Sequence, residues 1–125
     1  MRRPFFGLGW LLILLLLALC IWNTLVLRQQ LTESAALLQQ AAQAETLQAA
    51  SDLVREASAL WERRAGYYGT VLRHDETDTI AAGFAALLAY AAAGEETDFR
   101  GRCAELTAQL EHIAQMEMPL PGNIL

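Results

Sequence analysis

Residues 5–27 read FFGLGWLLILLLLALCIWNTLVL, 23 residues without a charge. A helix rises about 1.5 Å per residue, so this stretch would extend about 34 Å, enough to cross a hydrocarbon core of about 30 Å. Trp10 and Trp22 lie near its ends, where indole rings favour the interface between lipid and water. Asn23 and Thr24 fall at its outer edge. The remaining chain is different in kind. Residues 28–125 hold seven of the nine Arg and all 14 acidic residues, and the chain has no Lys. The sequence therefore divides into an apolar arm and an acidic domain. A domain of this charge does not suit nucleic acid, whose phosphates need clustered cations. With 54% hydrophobic residues, the chain is also too apolar to be disordered.

Three readings of the arm compete. As a cleaved signal peptide, its apolar run is longer than the usual core of about 7–15 residues, and no small-x-small site follows it. As a lipoprotein signal, Leu17-Ala18-Leu19-Cys20 lacks a small residue before the cysteine, and apolar residues continue beyond Cys20. An uncleaved anchor fits best, with Cys20 a small residue facing lipid or helix. Arg2 and Arg3 precede the span and Arg28 follows it. The positive-inside rule then places residues 1–4 in the cytoplasm and residues 28–125 outside it.

Beyond the arm the sequence reads as helix throughout. From residue 29 to 65 there is no Gly or Pro, and Ala, Leu, Gln and Glu dominate. A single helix over 28–72 would reach about 67 Å. Its first part has only a thin stripe, Leu31, Ala35, Leu38 and Ala42, which suggests a stalk over 28–49. The stripe strengthens from Leu47 through Leu53, Val54, Leu60, Trp61, Tyr68 and Leu72 at steps of three and four. Gly66 and Gly69 predict either a kink or the close approach of another helix. Asp75 reads as an N-cap, with Glu76 and Asp78 in the first turn, where the helix dipole favours carboxylates. Ile80, Phe84, Leu87 and Leu88 form the next stripe, and Gly94 suits the position that ends that helix. Glu95, Glu96, Thr97 and Asp98 open the last one. Its stripe of Phe99, Cys103, Leu106, Leu110 and Ile113 runs on to Glu117, and Pro119 and Pro121 stop it.

No alternating run is long enough for a strand, so the expected fold is all-α. It comprises one N-terminal transmembrane helix (5–27), a helical stalk (28–49), a small antiparallel three-helix bundle (50–117) and an extended C-terminal tail (118–125). Trp61, Leu72, Ile80, Phe84, Leu87, Phe99, Leu106, Leu110 and Ile113 are expected to share one core. The tail, MPLPGNIL, is unusually apolar for a terminus. It either folds back over the last two helices or stays free to bind a partner.

Trp61 is followed by His74-x-Glu76-x-Asp78-x-Ile80, then by two helices and a closing Asn123-Ile124-Leu125. With one N-terminal membrane helix and this length, the whole chain resembles the bacterial domain-of-unknown-function family 4363, known mostly from Gram-positive, often spore-forming bacteria. The resemblance implies an architecture and lends no catalytic residue.

His74, Asp75, Glu76 and Asp78 are the densest set of metal-donor residues, but their spacing matches no ligand motif and a helix start favours these same acids. His112, beside Glu111, falls off the last helix's main stripe and is expected in solvent. Cys103 lies on that stripe and reads as a small core residue. Arg63 and Arg64, near Trp61, form either a patch for an acidic partner or pairs with Glu62 or Asp75. No nucleophile elbow or phosphate loop is present in the sequence. No catalytic, cofactor or metal residue is assigned. The favoured function is a membrane-anchored, extracytoplasmic, non-enzymatic structural or protein-interaction module. Its partners would be the lipid bilayer and another membrane or envelope protein, with homo-oligomerisation left open. The alternative is a metal-dependent sensor or enzyme using the His74 cluster.

Overall fold

The computed structural model describes residues 2–116, and side chains from residue 6 onward. Five helices follow in order: α1 (Arg2–Gln43), α2 (Leu47–Arg63), α3 (Ala65–Val71), α4 (His74–Ala93) and α5 (Glu96–Met116). There is no strand among the described residues. The tail at 118–125 and the stripe's expected end at Glu117 lie outside them.

α1 has 42 residues and would extend about 63 Å. It holds a stretch long and apolar enough to cross a membrane, almost none of it buried by the rest of the chain. Its large side chains are exposed from Phe6 to Leu25. At Leu27 the character changes. Leu27, Leu31, Ser34, Ala35, Leu38 and Ala41 are all 2% exposed or less.

That burial corrects the expected stalk. Residues 28–43 are a helix of the bundle, packed against α2 and α5. The stripe looked too thin for a core face because half of it is Ala and Ser. Small residues let helix backbones approach closely, so a narrow stripe is enough to bury a face.

The single long helix expected over 28–72 is also broken. Thr46 adopts an extended conformation (φ −118°, ψ 152°), and its hydroxyl accepts a hydrogen bond from the Ala49 N–H at 3.1 Å. This is an N-cap, and it opens α2 after a three-residue turn without Gly or Pro. So short a connection turns α2 back along α1.

A second break falls at Arg64 (φ −100°, ψ 5°), two residues before Gly66. A Cβ on Gly66 or Gly69 would meet nothing within 4 Å, so neither serves a close approach. The glycine that does is Gly83 on α4, which lies against Leu106 of α5.

α4 starts at His74 with Arg73 as its N-cap residue, and no side chain caps it. Asp75 therefore sits in the first turn rather than at the cap. The other end matches expectation. Gly94 is left-handed (φ 72°), with its N–H on the Ala91 carbonyl and the Glu95 N–H on the Tyr90 carbonyl. This is a Schellman closure, which satisfies two carbonyls that the helix leaves free.

α1 packs on α2 and α5, and α4 packs on α2 and α5. The bundle is thus a ring of four antiparallel helices, with the distal half of α1 as the fourth member in place of the expected three-helix arrangement. All nine residues expected in one core lie in it, each 7% exposed or less. Trp61, Tyr68 and Phe84 form an aromatic group, with Trp61 ring-to-ring 4.5 Å from Tyr68 and 6.1 Å from Phe84.

Candidate functional site

Two polar places stand out against this apolar interior. The first is the seam where α3 and the end of α2 return alongside α1. The bend at Arg64 carries Tyr67 down to the last turn of the apolar arm. There the Tyr67 hydroxyl donates to the Asn23 side-chain oxygen and approaches the Asn23 carbonyl at 3.3 Å. Higher up, Arg64 Nη2 meets Glu33 Oε2 at 3.3 Å. The Tyr68 hydroxyl lies beside the Arg64 guanidinium. Neither that hydroxyl nor Arg64 Nη1 completes a hydrogen bond among the described residues, although both are buried. Burial raises the Tyr68 pKa above its ordinary value, and Arg64 pulls it the other way. Burial opposes the charge on Arg64, but Tyr68 and Glu33 together outweigh it and raise its pKa. Tyr68 is a neutral hydroxyl and Arg64 a fixed cation at any ordinary pH.

Opposite this seam, at the far end of the bundle, Arg100 of α5 closes the end of α1. Its Nη1 donates to the Ala42 carbonyl at 2.8 Å, while Nε and Nη2 hold Glu96 Oε1 at 3.1 and 2.8 Å. A helix C-terminus leaves carbonyls unpaired and carries partial negative charge, and a guanidinium answers both. Together these contacts fasten α1 at both ends of the bundle.

The second polar place is a groove of about 300 Å3 between the start of α4 and the end of α5. Arg73, Asp75 and Glu76 line it from the α4 side, and Gln109 and His112 from α5. Ile80 and Ile113 form its apolar part. It places Asp75, Glu76 and His112 on the walls of one groove, a grouping that sequence spacing does not suggest. His74 is exposed and is not part of the lining. The Asp75 carboxylate pairs with Arg73 at 3.2 Å. Among the described residues no three His, Cys, Asp or Glu side chains converge as a metal would require.

The remaining candidates fall as follows. His112 is exposed, as its position off the stripe implied. Cys103 is fully buried, and burial pushes its thiol up to about 11, against a weaker pull from Arg100. Such a thiol is a poor nucleophile, since the thiolate is the reactive form. Cys20 is exposed on the arm. Arg64 pairs with neither Glu62 nor Asp75 but with Glu33, because residues 28–43 return to the bundle. Tyr67 and Asn23 carry no motif. The available signal was a polar Asn at the edge of the apolar run and a Tyr pair near a predicted kink.

A family model described as "Domain of unknown function (DUF4363)" matches residues 23–124. The match begins at Asn23, the residue that Tyr67 holds, and includes the distal half of α1 that the bundle buries. No curated protein and no solved structure matches the chain.

Proposed function

The chain belongs to that family, which has no assigned activity, and on this premise we propose that it is a single-span membrane protein whose helical bundle is a non-enzymatic structural or protein-interaction module outside the cytoplasm. The continuity of α1 carries this reading. One helix supplies both the exposed apolar arm and a core helix of the bundle, with no flexible linker between them. A bundle built this way cannot turn independently of its anchor. The Tyr67–Asn23 bond holds α3 to the arm where the arm would leave the lipid. Tilt or displacement of the anchor is thereby passed to the core.

The orientation rests on Arg2 and Arg3 before the span against Arg28 after it. The acidic balance beyond residue 27 disfavours nucleic acid, so the expected partners are the bilayer and another membrane or envelope protein. Among the described residues beyond the arm, the bundle exposes few large apolar side chains. Contact with a protein partner would then be polar on the bundle, or made by the arm within the bilayer. Photo-crosslinking from exposed positions on α2 and α4, in intact cells, tests this. Discrete adducts with one or a few envelope proteins support the module, and an absence of adducts from every position refutes it. A reporter active only in the cytoplasm, fused after Leu125, should remain silent. Activity would reverse the orientation.

A further inference from the structure

The two ends of the bundle differ. α3 and the start of α4 lie at the end where α1 leaves the arm, because Tyr67 of α3 reaches Asn23. α5 finishes there too, since Arg73 and Met116 line one groove. The turns at 44–46 and 94–95 lie at the other end, where Arg100 holds the Ala42 carbonyl. The arm fixes the level of the near end. About 20 helical residues cross a hydrocarbon core of about 30 Å, so a core entered at Phe6 is left at about Leu25. Trp22, 69% exposed, marks the same boundary. Asn23 is its neighbour, and the Tyr67 bond therefore holds α3 within the reach of one tyrosine of the lipid–water interface.

The chemistry of this corner suits that level. Residues 65–72 carry no charge and include two Tyr, which favour the headgroup layer. Ala65, Gly66, Gly69 and Thr70 are exposed. A Cβ on either glycine would meet nothing within 4 Å, so the backbone itself is open to a surface. Residues 63–73 hold three Arg and no acid. Arg64 turns inward to Glu33, while Arg63 and Arg73 bracket the stretch and are exposed. The Arg73–Asp75 pair is 75% and 67% exposed, and a pair so open to water is weak enough to share its guanidinium. Glu62 adjoins Arg63 in sequence, but successive helix residues do not face each other. Met116, the large apolar side chain left exposed among the described residues beyond the arm, lies at this end as well. The far end instead exposes Glu45, Glu95, Glu96 and Asp98. Building on the single-span reading, we infer that residues 63–73 rest on the phospholipid headgroups around the arm, with Arg63 and Arg73 on lipid phosphates. The bundle then meets the bilayer at two places, the arm and this corner, which fixes its tilt.

Fluorophores on single cysteines of the full chain test this, in vesicles of phosphatidylcholine and phosphatidylglycerol. Cys20→Ala removes the exposed native thiol, and Cys103 is buried. The labels go on Thr70→Cys at the corner, Glu95→Cys at the far end and Leu14→Cys on the arm. Lipids carrying a nitroxide at the headgroup should quench the label at 70 and spare the label at 95, which α4 carries about 30 Å away. Lipids with a nitroxide deep in the acyl chain should quench the label at 14. Arg63→Glu with Arg73→Glu should cut quenching at 70 by about half or more, since each arginine near an anionic surface changes contact about fivefold. The label at 14 should not change in that variant. If 14 is quenched but 70 is quenched no more than 95, the corner contact is overturned and the span stands. Quenching at 70 that survives both arginine substitutions also overturns it, leaving the corner held near the lipid by the arm alone. If 14 is not quenched, the single-span reading falls and this inference falls with it.

Discussion

Gly83 and Leu106 provide a test in which one substitution should change sign with its background. A Cβ placed on Gly83 would lie 2.7 Å from Leu106 Cδ1, 3.2 Å from Cδ2 and 3.4 Å from Cγ. Leu106 is completely buried and cannot swing into solvent. Gly83→Ala in the wild type therefore sets two effects against each other. Alanine gains about 1 kcal/mol in a helix interior. Overpacking a closed core costs about 1–3 kcal/mol. The net effect is a loss of up to about 2 kcal/mol. Leu106→Ala alone should cost about 2–5 kcal/mol. In that background the three close atoms are gone, and Gly83→Ala should stabilise by about 1 kcal/mol. The coupling between the two sites is then about 1–3 kcal/mol. Urea unfolding of the full chain in mild detergent can measure it, followed by Trp61 fluorescence with Trp10 and Trp22 replaced by Phe. Additivity within about 0.5 kcal/mol would show that Leu106 does not lie against Gly83 and would refute the α4–α5 packing.

Cys103 predicts an alkaline weakness. Its thiol ionises near 9.0 when unfolded and at about 11 when folded. A folded pKa raised in this way leaves stability intact below pH 9 and removes it as pH rises from 9 to 11. Between pH 8 and 10 the loss is about 1.4 kcal/mol. The urea midpoint should fall accordingly in the wild type and much less in Cys103→Ala, and equal falls in both would contradict the burial of this thiol. Arg100→Ala should cost about 1–2 kcal/mol, the low end for a charged hydrogen bond on a partly exposed side chain. Arg100→Lys should recover part of that loss, because it restores the charge at the end of α1 but not the fork to Glu96, and a thermal midpoint unchanged in Arg100→Ala would argue against the closure.

The larger elements were legible because each had a strong local signal. The uncharged run of residues 5–27 and the three- and four-step stripes through Trp61, Phe84 and Leu106 gave the helices and the core. Gly94 marked the end of α4 because only glycine takes a left-handed conformation without strain. Three features were not legible in this way. Thr46 caps α2 without Gly, Pro or a matching Glu or Gln, so nothing distinguished it from the helix-forming residues around it. Ser34, Ala35 and Ala41 are too small to read as a core face, although small size is what lets α1 pack closely. Gly83 sits within the α4 stripe, where its role depends on Leu106, 23 residues later. The polar seam was hidden for the same reason. Glu33, Arg64, Tyr67 and Asn23 meet only because α1 and α2 fold back on each other. In the α4–α5 groove, Asp75 and Glu76 read locally as helix-start acids, while the opposite wall of Gln109 and His112 comes from a helix more than 30 residues away.

The account rests most on the claim that one continuous helix anchors the bundle in a membrane. Alkaline extraction of cell membranes, with one epitope before Arg2 and another after Leu125, tests it most directly. Stripping at high pH releases peripheral and cleaved proteins and retains spanning ones. The account predicts a single species carrying both epitopes and remaining wholly in the membrane pellet. A C-terminal epitope released to the supernatant, or separated from the N-terminal one, would show that α1 neither spans the membrane nor anchors the bundle.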